Sequence, residues 1–402
     1  MRLGDYVLLL SLVFTLIFAS PFISRAHAKN QRLADHVILI ILDGFNPDYM
    51  AMYDLPNLRS LANNGVLFAK AKGIFPSNTT ANHTSILTGA YPDRTGIPNN
   101  TMYDRKSDRL YGGLRNIQVP TLPEILHSHG MVTVEQAHFL LDGRKAISYA
   151  HGVDNFRKAM DTHNPDLLIY LEMDTDTQGH RRGPYNMKET LLKVDSDIGQ
   201  ILNYLDEKDI RDKTAIIVAS DHGMVENSQP EVAPRLVDRL KDAGFTIAAT
   251  DRAIKKNTDI VAITAGSLFL YFREGRIDET KYNTIMSILE TIPNADILTE
   301  DELRAMHTDP YALGDIVVAP RPGYVLTTGS GGGMHGIPET QHTTLILSGA
   351  GIREGQVQGR ANTVDIAPTI LHLLGLEVPD TMDGEVLKGA VIPPKINWGS
   401  IF

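Results

Sequence analysis

The sequence contains no cysteine among its 402 residues. A disulfide framework and a thiolate metal site are therefore both excluded. Any metal ion must be held by histidine, aspartate or glutamate side chains. The chain also lacks an excess of basic residues, since 38 lysines and arginines stand against 48 acidic residues and give a formal net charge of −10. This balance argues against a protein that coats nucleic acid, so we expect no binding of a nucleic-acid polymer.

An apolar run long enough to span a membrane is missing as well. The run from Tyr6 to Ala19 follows Arg2 and falls short of the ~20 residues that a spanning helix needs. The small-residue site Ala26-His27-Ala28 comes after it. We interpret residues 1–28 as a signal peptide cleaved after Ala28, in preference to an uncleaved anchor. This interpretation predicts a secreted or periplasmic protein without a stable membrane span.

Apolar, β-branched runs alternate with helix-like segments along most of the chain. The clearest strand candidates are residues 36–44, 166–174, 214–223 and 343–351, and the helix candidates are residues 55–65, 187–208 and 362–375. This alternation predicts an α/β fold, with a mostly parallel sheet covered by helices on both faces. The alternation of strand and helix candidates changes over residues 231–314. We interpret this segment as a smaller α+β cap inserted into a core formed by residues 29–230 and 315–402.

Five short stretches carry candidate site residues: Asp43 after a strand, the hydroxyl-rich segment 77–84, "DTQGH" (176–180), "SDHG" (220–223) and "GMHG" (333–336). Each one alone is weak, because a strand-end aspartate is more often a turn former and a threonine before a helix is more often its cap. Apart from His83, they supply three aspartates and three histidines, several of them at the ends of strands, where α/β sheets bind ligands. Such a set suits two divalent ions with N and O ligands.

The order of these motifs resembles the nucleotide pyrophosphatase/phosphodiesterase family of the alkaline phosphatase superfamily. The resemblance rests on Asp43, "FPSNTTANH" (75–83), "NNTMYD" (99–104), "DTQGH", "SDHGM", "GMHG" and "VDIAPTILHLLGLEVPDTMDG" (364–384). It covers nearly all of the chain between the signal peptide and the C-terminus outside the cap. It implies an alkaline-phosphatase-like core.

The resemblance also implies a role for each matched residue. One metal ion would be held by Asp176, His180 and His335, and the second by Asp43, Asp221, His222 and Thr79. Thr79 would be the nucleophile, and Asn100 would contact a phosphate oxygen. His83 would brace the nucleophile loop. Zinc is the metal we expect, with manganese as the alternative.

Two departures from the family pattern affect the substrate. Family members that cleave nucleotides carry an aromatic residue directly after the nucleophile, whereas this chain has Thr80, followed by Ala81. Loss of a stacking platform removes roughly 1 to 3 kcal/mol per base, so the preference for nucleotides stays open. Tyr185 is an alternative aromatic group for the pocket. Arg94 is the nearby cation that could clamp a phosphate, although a loop-bracing contact is the more common task of such a residue.

The resemblance predicts a secreted two-metal phosphodiesterase that acts through a phosphothreonine intermediate, with nucleotide pyrophosphates among its candidate substrates. The rival activities are hydrolysis of a carbon–phosphorus bond, as in phosphonoacetate hydrolase-like enzymes, and phosphomonoester hydrolysis. A degenerate domain that binds metal without catalysis is the alternative from another class. A small phosphoester is the expected partner, and the sequence leaves the oligomeric state open.

Overall fold

The computed structural model of the protein describes residues 31–112, 117–228, 236–249, 251–326 and 332–393. The predicted signal peptide lies outside these residues. The described strands are β1 (His36–Leu42), β2 (Gly65–Lys72), β3 (Thr101–Asp104), β4 (Arg109–Gly112), β5 (Thr133–Gln136), β6 (Ile147–Tyr149), β7 (Leu167–Glu172), β8 (Thr214–Ala219), β9 (Val225–Glu226), β10 (Ile247–Ala248), β11 (Ile260–Ala265), β12 (Ser267–Phe272), β13 (Ala295–Leu298), β14 (Ile316–Pro320), β15 (Gly333–Met334), β16 (His342–Thr343), β17 (Leu345–Gly349) and β18 (Gln356–Asn362). The described α-helices are α1 (Tyr49–Met52), α2 (Pro56–Asn63), α3 (Thr79–Thr88), α4 (Pro92–Thr95), α5 (Leu122–Ser128), α6 (Val153–His163), α7 (Asp174–Arg182), α8 (Lys188–Glu207), α9 (Leu236–Asp242), α10 (Glu279–Leu289), α11 (Glu300–Ala305), α12 (Pro310–Leu313) and α13 (Ile366–Leu373).

A central sheet of nine described strands organises the larger part of the chain. Its order is β16-β2-β17-β8-β1-β7-β5-β6, and β18 pairs with β2. Within the run β8-β1-β7-β5-β6, each strand is parallel to the next. Antiparallel pairing occurs where β17 meets β2 and β8, and where β16 meets β2. The predicted α/β fold with a mostly parallel sheet is confirmed.

Helices cover both faces of this sheet, which explains why its middle strands are apolar at nearly every position. In β1, the odd-numbered side chains from Val37 to Ile41 pack into a core with α3, α5 and α13. The even-numbered side chains from Ile38 to Leu42 pack into a second core with α2, α6 and α8. None of the described helices combines the length and the apolar character that crossing a membrane requires.

A second sheet, of order β10-β11-β12-β14-β13, has an apolar core of its own. It includes β14, which follows residue 314, so we propose that the inserted cap extends to Pro320. Its other face packs against Phe75, just before the hydroxyl-rich segment, and Thr308 Oγ1 donates a hydrogen bond to the Phe75 carbonyl oxygen (3.0 Å). The second sheet therefore supports the segment that leads into Thr79.

Candidate active site and metal centre

The carboxyl ends of three neighbouring strands meet at one edge of the central sheet. Asp43 follows β1, and its backbone N–H donates a hydrogen bond to the carbonyl oxygen of Glu172 at the end of β7 (2.9 Å). Asp221 lies just after β8, and its Oδ1 accepts hydrogen bonds from the backbone N–H groups of Gly44 (3.0 Å) and His222 (2.9 Å). Both carboxylates are fully buried, with oxygen atoms within 4.8 Å of each other. This is where a sheet of this topology forms its ligand crevice.

Three histidines surround these carboxylates, and a backbone carbonyl fixes the orientation of each ring. The contacts, each 2.9 Å long, join Nδ1 to a carbonyl oxygen: His180 to Gly333, His222 to Gly223 and His335 to Ser77. A carbonyl oxygen only accepts hydrogen bonds, so Nδ1 carries a proton in every ring. In a neutral ring, Nε2 then presents a lone pair.

These Nε2 atoms face carboxylate oxygens. The distances are 3.4 Å from His222 to Asp43 Oδ1, 3.3 Å from His222 to Asp221 Oδ2, 3.3 Å from His180 to Asp176 Oδ1 and 3.8 Å from His335 to Asp176 Oδ1. All of these oxygens are buried, and none accepts a hydrogen bond within the described part of the chain. A lone pair on Nε2 and the negative carboxylate oxygen opposite it repel each other unless a cation lies between them. Carbonyl-oriented imidazoles with carboxylates are a donor set that fits zinc or a similar divalent ion.

The ligand atoms form two close groups. Within each group they lie no more than 4.8 Å apart: Asp176, His222 and His335 in one, and Asp43, His83 and Asp221 in the other. His222 lies between them, because its Nε2 faces Asp43 and Asp221 while its ring stacks on His335 with 3.7 Å between centroids. The assignment of His180 to the first ion and His222 to the second therefore stays a prediction.

The protein's own charges balance the central carboxylates only in part. Burial, together with the charge of Asp221, raises the pKa of Asp43 to about 6. Burial also disfavours the charged form of His83, but Asp221 and Asp43 outweigh it and raise the pKa of that ring to about 10. For Asp221, the positive rings of His222 and His83 outweigh burial and lower its pKa. The carboxylates compete for too little positive charge, a deficit that a divalent cation would remove.

Thr79 is the first residue of α3 and lies beside this cluster. Its Oγ1 is 3.2 Å from Nε2 of His222, the nitrogen that lacks a proton in the neutral ring, so the hydroxyl donates toward it. The start of the ten-residue helix also presents backbone N–H groups that have no partner within the helix, together with the positive end of the helix dipole. The Thr79 side chain is partly exposed, unlike the nine residues that follow it in the helix. An incoming ester can therefore reach the hydroxyl.

Asn100 is held beside the same helix end. Its Oδ1 accepts a hydrogen bond from the backbone N–H of Thr80 (2.7 Å), and its own N–H donates to Oδ1 of Asn99 (2.8 Å). Nδ2 of Asn78 donates to the same Asn99 oxygen (2.8 Å). Since Oδ1 of Asn100 is engaged with Thr80, the two Nδ2 protons point to the other side of the amide. The side chain thus offers donors whose orientation is set at the start of α3, one residue from Thr79.

A comparison with protein-family models identifies the family to which the chain belongs. The model described as "Type I phosphodiesterase / nucleotide pyrophosphatase" matches residues 37–114 and 122–343. The chain belongs to this family. As a type I phosphodiesterase/nucleotide pyrophosphatase family member, it is a hydrolase that acts on phosphoesters.

Curated relatives of this family member include two named bis(5'-adenosyl)-triphosphatases. The enpp4 protein of Mus musculus is 27% identical over 376 residues, which cover 86% of this chain and 78% of the mouse protein. The Homo sapiens ENPP4 protein is 24% identical over 403 residues, which cover 92% of this chain and 84% of the human protein.

Solved structures of ectonucleotide pyrophosphatase/phosphodiesterase 5 share the fold. The human protein superposes with a TM-score of 0.70 at 18% identity, covering 88% of this chain and 97% of the human chain. An inactive threonine-to-alanine variant of the murine protein, solved in complex with AMP, gives a TM-score of 0.68 at 19% identity and covers 86% and 96% of the two chains. The alkaline-phosphatase-like fold that we predict from the sequence is confirmed.

The structure brings the predicted site residues of this family member together. The carboxylates and imidazoles form the contacts described above, and Thr79 and Asn100 flank them: Asp43, Thr79, Asn100, Asp176, His180, Asp221, His222 and His335. Their roles stay predictions. Arg94 makes a loop-bracing contact, as expected: its Nε lies 3.2 Å from Asp383 Oδ1, and its Nη1 donates to the Asp380 carbonyl oxygen (2.6 Å).

The role of His83 as a brace for the nucleophile loop stays a prediction, and the structure adds the partners of its ring. The fully buried ring contacts His138 and Phe139 and faces Asp43 and Asp221, none of which belongs to that loop. A signal for this position was available, because His83 stands four residues after Thr79 in the predicted helix and so shares its face. His138 carries no comparable signal in the sequence.

Proposed function

We propose that this family member is a secreted, two-metal phosphodiesterase. It hydrolyses phosphodiester bonds, nucleotide pyrophosphates among them, through a phosphothreonine on Thr79. The two ions are zinc, held by Asp176, His180 and His335 and by Asp43, Asp221, His222 and Thr79; manganese is the alternative. The observation that carries the proposal is the set of three imidazoles, each bound at Nδ1 by a carbonyl, whose Nε2 atoms face unpaired carboxylate oxygens beside a threonine hydroxyl.

The chain's own residues account for the positions of the reacting groups. When bound, divalent ions would lower the pKa of the Thr79 hydroxyl and neutralise charge on the phosphate and the leaving group. Oγ1 of Thr79 attacks phosphorus as the bond to the leaving oxygen breaks, and Asn100 donates to a non-bridging oxygen. Water then attacks the phosphothreonine, the Oγ1–phosphorus bond breaks, and the threonine recovers its proton.

The decisive experiment for the proposed activity is a rate panel on the metal-loaded protein. It compares bis-p-nitrophenyl phosphate, p-nitrophenyl phosphate, a dinucleoside polyphosphate and phosphonoacetate. Hydrolysis of the diester and the polyphosphate supports the proposal, and hydrolysis of phosphonoacetate alone identifies a carbon–phosphorus hydrolase instead. No hydrolysis of any substrate by a protein that binds fewer than two ions identifies a degenerate metal-binding domain.

Within this panel, we expect the diester to exceed the monoester by at least about tenfold in kcat/KM, or roughly 1.4 kcal/mol of transition-state stabilisation. The monoester brings an additional charged oxygen, whereas Asn100 is neutral and Arg94 is engaged with Asp383. Arg94→Ala is the matched control and should leave the ratio unchanged. Faster monoester hydrolysis that falls in Arg94→Ala would contradict this reasoning and assign the arginine to the phosphate.

A second prediction separates the two hydrogen-bonding roles of Asn100. Asn100→Ala is expected to lower kcat by about 10²- to 10³-fold, the cost of removing an oxyanion donor. Asn100→Asp retains an acceptor for the Thr80 N–H but loses the donor, so it should lose at least as much. Steady-state rates of diester hydrolysis distinguish the two roles. An Asn100→Asp variant with close to parental activity would show that the residue only braces α3.

Nucleotide preference is a separate question, because Thr80 is largely buried and offers no aromatic surface. The names of the ENPP4 relatives and the AMP complex of the ENPP5 variant favour nucleotide substrates. Tyr185, by contrast, is 61% exposed, and its backbone carbonyl accepts a hydrogen bond from Tyr53 Oη. The polyphosphate arm of the panel measures whether a base raises kcat/KM above that of bis-p-nitrophenyl phosphate.

A further inference from the structure

Two histidines outside the proposed ligand set form a buried chain that ends at the central carboxylates. Nδ1 of His83 lies 3.1 Å from Nε2 of His138, and both side chains are almost completely buried. At the other end of the His83 ring, Nε2 lies 3.4 Å from Asp43 Oδ2 and 3.3 Å from Asp221 Oδ2. Neither contact has the geometry of a full hydrogen bond to one oxygen. This position suits one N–H that is shared between two carboxylates.

The group that donates a hydrogen bond to His138 sets the direction of the hydrogen bond between His138 and His83. The backbone N–H of Leu140 donates to Nδ1 of His138 (3.3 Å), so this nitrogen is an acceptor and the proton of the neutral ring is on Nε2. That Nε2–H can only donate to Nδ1 of His83. In the metal-loaded protein, bound cations would neutralise the carboxylates that otherwise charge this ring, and His83 is then neutral. With Nδ1 accepting, its proton is on Nε2, where it faces Asp43 and Asp221.

The His138 ring is held in place from two sides. Oε2 of Glu135, in β5, accepts a hydrogen bond from the backbone N–H of His138 (2.6 Å). Its other carboxylate oxygen accepts from the Ser148 hydroxyl. Phe139 stacks on the His138 ring, with 5.3 Å between centroids and 16° between planes. The imidazole therefore presents Nε2 to His83 in a fixed orientation.

His83 differs in this respect from the three histidines that we propose as ligands. In those rings a carbonyl oxygen keeps the proton on Nδ1 and leaves Nε2 free for a metal. In His83 the neighbour at Nδ1 is a donor, so Nε2 carries a proton and has no lone pair for a cation. The contact of His83 with Asp43 and Asp221 is consequently not a third metal-ligand contact, although the three groups are close enough for one.

We propose that His138 is a positioning residue that holds His83 in its Nε2–H form, so that His83 donates to Asp43 and Asp221 and orients these carboxylates toward the metal ion. This inference rests on the proposed two-metal function. A donor shared between both carboxylates limits their rotation and leaves Asp43 Oδ1 facing Nε2 of His222, while Asp221 Oδ1 stays bonded to the backbone N–H groups of Gly44 and His222. Removal of such a partner behind a metal ligand typically costs about 10- to 100-fold in metal affinity or activity.

The test compares His138→Phe with His138→Gln in the zinc-loaded full chain. Phenylalanine keeps the ring stacking on Phe139 but removes the donor, whereas the glutamine amide can place an N–H near the position of Nε2. We expect His138→Phe to weaken binding of one zinc ion by about tenfold or more and to lower kcat on bis-p-nitrophenyl phosphate similarly, with little change in KM. His138→Gln should retain most of both. A chromophoric chelator titration measures the zinc affinity independently of activity.

The ranking of the two variants separates positioning from packing. If His138 only fills space, phenylalanine is the better replacement and His138→Gln loses more, which would overturn the proposal. His163→Phe, which removes a histidine contact with Tyr149 Oη, is the control for loss of a histidine elsewhere. If His138→Phe keeps the parental zinc affinity and kcat, the positioning role of His138 is overturned and the two-metal function is left intact. A parent protein that binds no zinc would overturn both.

A measurement on the unsubstituted protein covers the case in which a variant fails to fold. Long-range ¹H–¹⁵N correlation spectra of the zinc-loaded protein distinguish the two imidazole tautomers. We expect a proton on Nε2 and none on Nδ1 in both His83 and His138, in contrast to Nδ1 protonation of His180, His222 and His335. A proton on Nδ1 of His83 together with a free Nε2 would overturn the proposal.

Discussion

Thr79→Ala is expected to lose turnover of bis-p-nitrophenyl phosphate by about 10⁴-fold or more, the scale seen when a nucleophile is removed. The zinc content should stay close to two ions per chain, since the aspartates and histidines remain. The physical reason is that Thr79 supplies the hydroxyl that lies at the start of α3 beside Nε2 of His222, where we propose that it attacks phosphorus. Steady-state kinetics and elemental analysis of the same preparation measure both quantities.

Ser85→Ala is the matched control for this variant. Ser85 lies in the same helix, is fully buried, and its Oγ has no hydrogen-bond partner among the described residues. The Ser85→Ala variant should therefore retain parental turnover of the diester. Thr79→Ser keeps a hydroxyl in place and should retain measurable activity. Parental turnover in Thr79→Ala would remove the threonine from its proposed role, whatever the metal content.

Asp43→Ala should have the second-largest effect, with one zinc ion lost and hydrolysis of the diester lowered by roughly 10³-fold, because a catalytic cation supplies several kcal/mol of charge stabilisation. The fully buried carboxylate follows β1 and faces His222. His335→Ala is the paired variant and should empty the other site. Elemental analysis of both proteins decides the question.

The structure adds a third variant that tests how the ligands are divided. His222 faces Asp43 and Asp221 but also groups with Asp176 and His335. Combined with Asp43→Ala, a His222→Ala change should remove no further ion if both residues serve the same site. Loss of both ions from the double variant would place His222 with Asp176, and parental metal content in either single variant would show that the division is wrong.

The sequence predicts the centre of the fold well because its strands are buried on both faces. The candidates at 36–44, 166–174 and 214–223 correspond to β1, β7 and β8, and the helix candidate at 187–208 corresponds to α8. The candidate at 343–351 is also a strand, β17, but it runs antiparallel to β8. An apolar run that is covered on both faces looks the same in either direction, so its orientation is not readable.

Other features had no pattern that the sequence could reveal. β18 (Gln356–Asn362) is polar and alternates irregularly between covered and exposed positions, yet it pairs with β2 over nearly its whole length. The ring of His138 meets His83 only because the segment after β5 passes beside α3. Strand-end position and family resemblance indicated the ligands, whereas contacts between a helix and a distant loop depend on packing that no local spacing encodes.

The segments that form the carboxylate and imidazole cluster lie on both sides of the second sheet along the chain, with Asp221 before it and His335 after it. Contacts between residues so distant in sequence can form only when the whole intervening segment is present. A chain that ends before His335 therefore lacks the full cluster. Under the proposed two-metal function, such a chain would hold metal ions poorly, tight metal retention would mark a completed protein, and cation binding would add its own free energy to the folded state.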